Sequence, residues 1–375
     1  MNSLNPSHVS PPASSVICDL SPFSRFAPLA FSCVSLVLTF FGLFEWDVPL
    51  TRFVRSLNDF QVDHLHNPWL AQLSDVGDRL GKGDSLIIVS LVAMTVGFGL
   101  KQAVWKAAGW QSLLAHGLAG LFSNLMKHLI GRPRPKFMHA GTVELSPVSG
   151  SGWDSFPSGH AAASFAVATV FAIRFPKARW MILAAAGTIA VSRTLRGSHF
   201  LTDIAAGAVI GYLVGSIAAN PLRRWRASLE TALLDATPFA AGLLVSVWTI
   251  GHHPLNVWPE LQLMGVGMFL TVAGLACHVI LTAKGEAAFS RISRRLVNCV
   301  IGLGFGMMTG SLLVATAVLC ACLGYWFRSR DEAEAAVAAP VGETAGVWAK
   351  EALFATAVLL TLLMVFEFQG ALPMR

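Results

Sequence analysis

The sequence predicts an all-α protein, a polytopic membrane bundle of about ten transmembrane helices. Three observations lead there. Of its 375 residues, 54% are hydrophobic and only 13% are charged, against roughly 25% charged in an ordinary soluble domain. Mean hydropathy is +0.60. Residues 261–283 and 296–327 contain no Asp, Glu, Lys or Arg, and each run exceeds the roughly 20 apolar residues that cross a bilayer as a helix. The alternation expected of a membrane barrel is absent.

In chain order, the spans are predicted at 26–44, 84–100, 107–126, 158–174, 180–196, 199–219, 235–251, 261–283, 296–325 and 352–368. A Ser- and Pro-rich tail, 1–25, precedes them. It lacks the basic start of a cleaved signal peptide, so the first span reads as uncleaved. Between spans one and two, Leu50, Phe53, Val54, Leu57 and Phe60 recur near helical spacing with Arg52, Arg55 and Asp59 between them. This predicts an amphipathic helix over 49–60 lying on the outer surface, or else a simple loop. Spans four and five reach full length only by taking in polar residues at one end. Trp46, Trp105, Trp180, Trp258 and Trp326 sit near span ends, where indole rings anchor at the interface.

Composition changes after span six. Residues 26–221 hold every polar constellation and form a six-span core. A basic cytoplasmic linker, 222–229, leads to four apolar spans in 230–375 that are candidates to brace the core, shape a lateral lipid opening or form a homo-oligomer contact. The net charge of +6 signals bilayer orientation and anionic lipid rather than nucleic acid. Cations on the two sides nearly tie in number, but Lys101, Lys106, Arg174, Lys177, Arg179, Arg223, Arg224, Arg226, Lys284, Arg291, Arg294 and Arg295 crowd into short loops. Those loops and both termini are therefore assigned to the cytoplasm, leaving the polar clusters outside. The six cysteines show no metal spacing and read as small hydrophobes.

Three clusters carry chemistry, all at span ends on one predicted side. The first runs from Lys127 through Arg132, Pro133, Arg134 and Pro135 to Lys136. Gly131 and the prolines end the helix, so the guanidinium groups stand on a stiff segment suited to phosphate. A basic loop for anionic headgroups is the competing reading. The second is Phe156-Pro157-Ser158-Gly159-His160, opening span four. It offers backbone N–H groups at a helix N-terminus beside a titratable imidazole, or else a plain N-cap with an incidental histidine. The third is Ser192-Arg193, then His199 and Asp203. The last two are four apart on one helical face. A carboxylate there would fix the imidazole tautomer and leave the other nitrogen as a nucleophile. In the competing reading, Asp203 is a packing partner of Arg193 or His199. Gly207, Gly211 and Gly215 extend that face as a close-packing stripe.

Taken together and in this order, the three clusters resemble the three signatures of the type 2 phosphatidic acid phosphatase superfamily. That superfamily includes membrane lipid phosphatases, glucose-6-phosphatase and vanadium haloperoxidases. The resemblance covers residues 26–221. It implies that His199 attacks phosphorus to form a phosphohistidine, Asp203 orients its ring and His160 protonates the leaving oxygen. It also implies that Lys127, Arg134, Ser158, Gly159 and Arg193 hold the phosphoryl oxygens, with Arg132 and Lys136 as entrance cations. Neither a metal nor another cofactor is expected. The expected substrate is a lipid phosphate or diphosphate, with undecaprenyl diphosphate and phospholipid phosphates among the candidates, acted on at the outer face of a bacterial inner membrane. A lipid phosphotransferase and a non-enzymatic lipid-binding or transport protein are the alternatives. Outside the clusters, His252-His253 reads as a turn. Gly302, Gly306 and Gly310 read as a second packing face, Asp235 as a helix-start acid, and Glu332 and Glu334 as solvated chain.

Overall fold

A computed structural model describes residues 22–59, 64–65, 68–137, 145–148, 150, 152–251, 260–283 and 291–335. Among these the chain forms α1 (Pro22–Leu57), α2 (Pro68–Gly81), α3 (Gly83–Gly99), α4 (Ala103–Ile130), α5 (Gly159–Arg174), α6 (Arg179–Leu195), α7 (Leu201–Ala219), α8 (Trp225–Gly251), α9 (Glu260–Ala283), α10 (Arg291–Met308) and α11 (Leu312–Ala335). One two-residue antiparallel ladder, Asn58–Asp59 with His64–Leu65, follows α1.

The chain is a helical membrane protein. Phe26–Val54, Leu201–Ala219, Leu222–Gly251 and Leu261–Leu281 are long and apolar enough to cross a bilayer, and α2 with α3, bent by 60°, makes a fifth if the pair is one span. The expected ten are thus not reached among the described residues, and span 352–368 and His252-His253 lie outside them. Helix α5 has only 16 residues, about 24 Å at 1.5 Å per residue, short of the roughly 30 Å hydrocarbon core. It does not need that length, because α4, α6 and α7 surround it. Ala161, Ala162, Ala163, Ala166, Ala168 and Ala172 are all buried on it. Small side chains let neighbouring backbones approach closely where lipid gives no hydrophobic drive to pack.

The glycine stripe of α7 lies on α5, as the spacing predicts. A Cβ on Gly207 would stand 2.5 Å from the Ser158 carbonyl oxygen, and one on Gly215 2.5 Å from that of Ala166. Between them Gly211 faces the Ala162 carbonyl. Gly211→Leu is therefore expected to cost about 1–3 kcal/mol or more through overpacking, read as a lower thermal midpoint of the purified protein.

Several expectations are corrected. No surface helix begins at residue 49, because α1 continues unbroken to Leu57. Trp46 is no interfacial anchor. It is 3% exposed and meets Trp248 of α8 edge-on, with ring centroids 5.5 Å apart. These two rings share one apolar core with Leu43, Leu201, Leu244 and Val314, so α8 and α11 pack on the same core as α1 and α7. The expected ninth span is instead a hairpin of two shorter helices. Gly310 takes a left-handed φ of +71° between them, and the Cys299 and Cys322 thiols each donate to the other's carbonyl across it. Gly310 thus breaks the helix rather than packing it. Asp235 lies well inside α8, accepting from the Tyr212 hydroxyl at 3.4 Å. Helix α11 extends through Glu332 and Glu334.

Candidate active site

Four helix ends meet on one side of the bundle. They are the C-terminal ends of α4 and α6 and the N-terminal ends of α5 and α7, which alternate in direction along the chain. Gly131 ends α4 in a left-handed turn with φ +59°, a conformation natural to glycine, and the Arg132 loop then folds back. Backbone bonds sew the segments together: Arg134 N–H to Gly152 O (2.9 Å), Lys136 N–H to Gly197 O (3.1 Å), Ser155 N–H to Arg132 O (2.9 Å) and Ser158 N–H to Asp203 O (3.0 Å).

The His199 ring is buried. Its Nδ1 lies 2.8 Å from the Ser155 carbonyl oxygen. A carbonyl can only accept, so Nδ1 carries the proton and Nε2 keeps its lone pair. Burial also pushes the imidazole below its ordinary pKa, which favours the neutral, nucleophilic form. Here the structure departs from expectation. Asp203 Oδ2 is 3.8 Å from Nδ1, beyond hydrogen-bond reach. That carboxylate instead accepts from Phe200 N–H at 2.8 Å, from the Ser155 hydroxyl and from Arg132 Nη1 at 2.6 Å. Asp203 thus holds the start of α7 and the Ser155 side chain, while the Ser155 carbonyl aims the ring.

Arg132 is likewise corrected. Rather than guarding an entrance, it is 1% exposed and bridges Asp203 to Asp47 of α1 at 2.8 Å. Its guanidinium also stacks between Phe200 (4.1 Å) and Phe44 (4.5 Å). Lys136 is exposed, over the Phe137 ring.

The remaining predicted residues come together around His199. Lys127 Nζ lies 3.7 Å from where a Cβ would stand on Gly159. His160 is within electrostatic range of Arg193, His199 and Lys127, and His199 of Lys127 and Arg193. Ser158 caps α5, its hydroxyl accepting from Ala161 N–H at 3.5 Å. Its own N–H is spent on Asp203, which leaves Gly159 and His160 to present the free N–H groups of the first turn. Arg134 forms a forked pair with Asp154, at 2.8 and 2.7 Å. Burial alone would raise the Asp154 carboxyl, but that guanidinium brings it to about 2.

The comparisons with known proteins fit this geometry. The family model described as PAP2 superfamily matches residues 108–226. A lipid A 1-phosphatase of Rhizobium etli is 38% identical over 157 residues, 38% of this chain and 68% of that protein. The chain belongs to the PAP2 superfamily. A second lipid A 1-phosphatase, of Rhizobium johnstonii, is 39% identical over 95 residues, 25% of this chain but only 39% of that protein's length. Phosphatidylglycerophosphatase B of Bacillus subtilis is 30% identical over 161 residues, 40% of this chain and 74% of that protein. No solved structure matches.

Two residues of this PAP2 site escape the three signatures. Asp78, on α2, pairs with Arg193 Nη1 and stands 3.7 Å from His160 Nε2 and 3.8 Å from Arg196 Nη1. Helix α2 can present it because Gly77 and Gly81 have no side chains to strike Ser192, Ile189 and His160. The spacing of Leu70, Leu73, Gly77 and Leu80 was the available signal for that helix. Asp47 is the other, and its signal was a carboxylate inside an apolar helix.

Proposed function

We propose that this protein removes the terminal phosphate from a lipid phosphate or diphosphate, as a lipid phosphatase acting through a phosphohistidine. The observation that carries the reading is the Nδ1 bond of His199, which leaves Nε2 as a nucleophile among Lys127, Arg193 and His160. Nε2 attacks phosphorus, and the phosphorus–oxygen bond to the lipid breaks with its electron pair staying on oxygen. His160 supplies the proton that oxygen needs, with the Asp78 carboxylate 3.7 Å from its Nε2. Water then attacks the phosphohistidine, gives its proton to His160 and releases phosphate. Lys127, Arg193 and the Gly159 N–H stabilise the charge on the phosphoryl oxygens, and Arg134 flanks them. The names of the relatives support a lipid substrate, as does a site placed at the ends of apolar helices, where a headgroup reaches it while the chains stay in the bilayer. Cation-rich short loops on the far side support a site that faces outward from a bacterial inner membrane.

Phosphate release from a panel of phosphatidylglycerol phosphate, lipid A and a lipid diphosphate tests this. The wild type should release phosphate from at least one of them with EDTA present, because side-chain cations supply the positive charge. Inactivity on the whole panel would refute the reading. The pH profile follows from His199. Protonation on acidification destroys the nucleophile, and the depressed pKa moves that loss below the ordinary histidine value of about 6.5. The acid limb of kcat/KM should therefore fall below pH ~6.5, with activity kept at neutrality.

A further inference from the structure

Two cavities have Arg179 and Tyr212 in common as lining residues, at the end of the bundle opposite the histidines. The first, about 390 Å³, lies among α1, α5, α6, α7 and α8, walled by Phe40, Phe165, Leu183, Val209 and Leu243. Along α7 it runs from Tyr212 to Ala205, about 10 Å at 1.5 Å per residue. Trp180 and Phe239 also line it. Both are 61% exposed, and their rings meet with centroids 6.0 Å apart, so they form the outer, bilayer-facing wall of the cavity between α6 and α8. The second cavity, about 480 Å³, is the more polar of the two, with Ser216, Asn220, Arg224, Thr231 and Asp235 beside the shared Arg179 and Tyr212, and Ile173 and Pro176 among its apolar lining. Two guanidinium groups face one carboxylate there, and that carboxylate already accepts from Tyr212. Lys177 and Arg223 in the adjoining turns and Arg226 in the first turn of α8 add positive charge.

An apolar slot beside a cationic chamber, with Arg179 and Tyr212 lining both, has the apolar and anion-binding parts that one amphiphile needs. We propose that this is a binding site for an anionic diester phospholipid of the leaflet opposite the catalytic site, with its phosphate at Arg179 and Arg224 and an acyl chain in the apolar cavity. Basic pockets between helices at the membrane surface recognise such headgroups. The chain would wedge α5, α6 and α7, whose other ends carry His160, Arg193 and Asp203. The inference stands apart from the hydrolytic reading, since its ligand has no phosphate monoester to cleave.

The test is the thermal midpoint of the full chain in detergent with dioleoyl phosphatidylglycerol, with equimolar dioleoyl phosphatidylcholine, or with soluble glycerol phosphate. Phosphatidylglycerol should raise the midpoint by several degrees more than phosphatidylcholine, and glycerol phosphate should leave it unchanged. Arg179→Ala/Arg224→Ala should lose the preference for the anionic lipid. Ala208→Phe, which fills the slot, should lose the stabilisation by either lipid. Arg224→Ala alone, at an exposed turn, provides a folded variant in which the preference must shrink. Equal effects of the two lipids on the wild type would overturn the proposal, as would a preference undiminished in Arg224→Ala or a full effect from glycerol phosphate. So would Ala208→Phe that keeps its lipid stabilisation but raises the substrate KM, because the slot would then hold the substrate chain.

Discussion

His199→Ala is expected to lower phosphate release by about 10⁴-fold or more, the scale on which enzymes lose activity when a covalent nucleophile is removed. The expectation rests on the ring's setting. Nδ1 is committed to the Ser155 carbonyl at 2.8 Å, so Nε2 is the one ring atom left for phosphorus. The substitution also leaves that carbonyl without its donor, and the folded fraction should be measured alongside turnover. A small fall in the thermal midpoint with near-complete loss of turnover is the expected pair of results. A well-folded His199→Ala retaining a tenth of wild-type activity would remove the covalent step.

Arg132→Ala should have the largest effect on stability. It strands two carboxylates, Asp47 and Asp203, that are 1% and 0% exposed. Breaking a buried ion pair from one side costs about 3–5 kcal/mol, and here one cation serves two anions. The aromatic contacts with Phe44 and Phe200 are lost as well. Activity should fall with stability, because Asp203 holds the Phe200 N–H, the Ser155 hydroxyl and so the frame that aims His199. Arg132→Lys keeps the charge but not the fork that reaches both carboxylates, and should fall between wild type and alanine. Thermal unfolding of the three proteins gives the order. An alanine variant as stable as wild type would show that the bridge contributes nothing.

Much of the site was legible because each signature is a local pattern whose chemistry needs few neighbours. Ser158 caps α5 as the second signature leads one to expect, but the helical face expected of His199 and Asp203 does not form, because α7 begins at Leu201 and leaves His199 outside it. What could not be read was the pairing between distant segments. Arg132 and Arg134 look alike in sequence, yet one meets Asp47, 85 residues away, and the other meets Asp154, 20 away. Asp78 was hidden because α2 mixes Asp75, Asp78 and Arg79 with its apolar residues, so that its hydropathy alone does not mark a helix there. The break at Gly310 was masked for the opposite reason. A run without charge shows that a segment suits the bilayer, and nothing in its hydropathy shows where the helix stops.

The central claim is that Lys127, the first turn of α5, Arg193 and His199 grip one tetrahedral phosphoryl group. An experimental structure of the protein with orthovanadate bound tests it most directly. Vanadium is expected at bonding distance from His199 Nε2, with its oxygens on Lys127, Arg193 and the Gly159 N–H and one directed at His160. Vanadate held away from that nitrogen, or the two imidazoles contacting no common ion, would contradict the account.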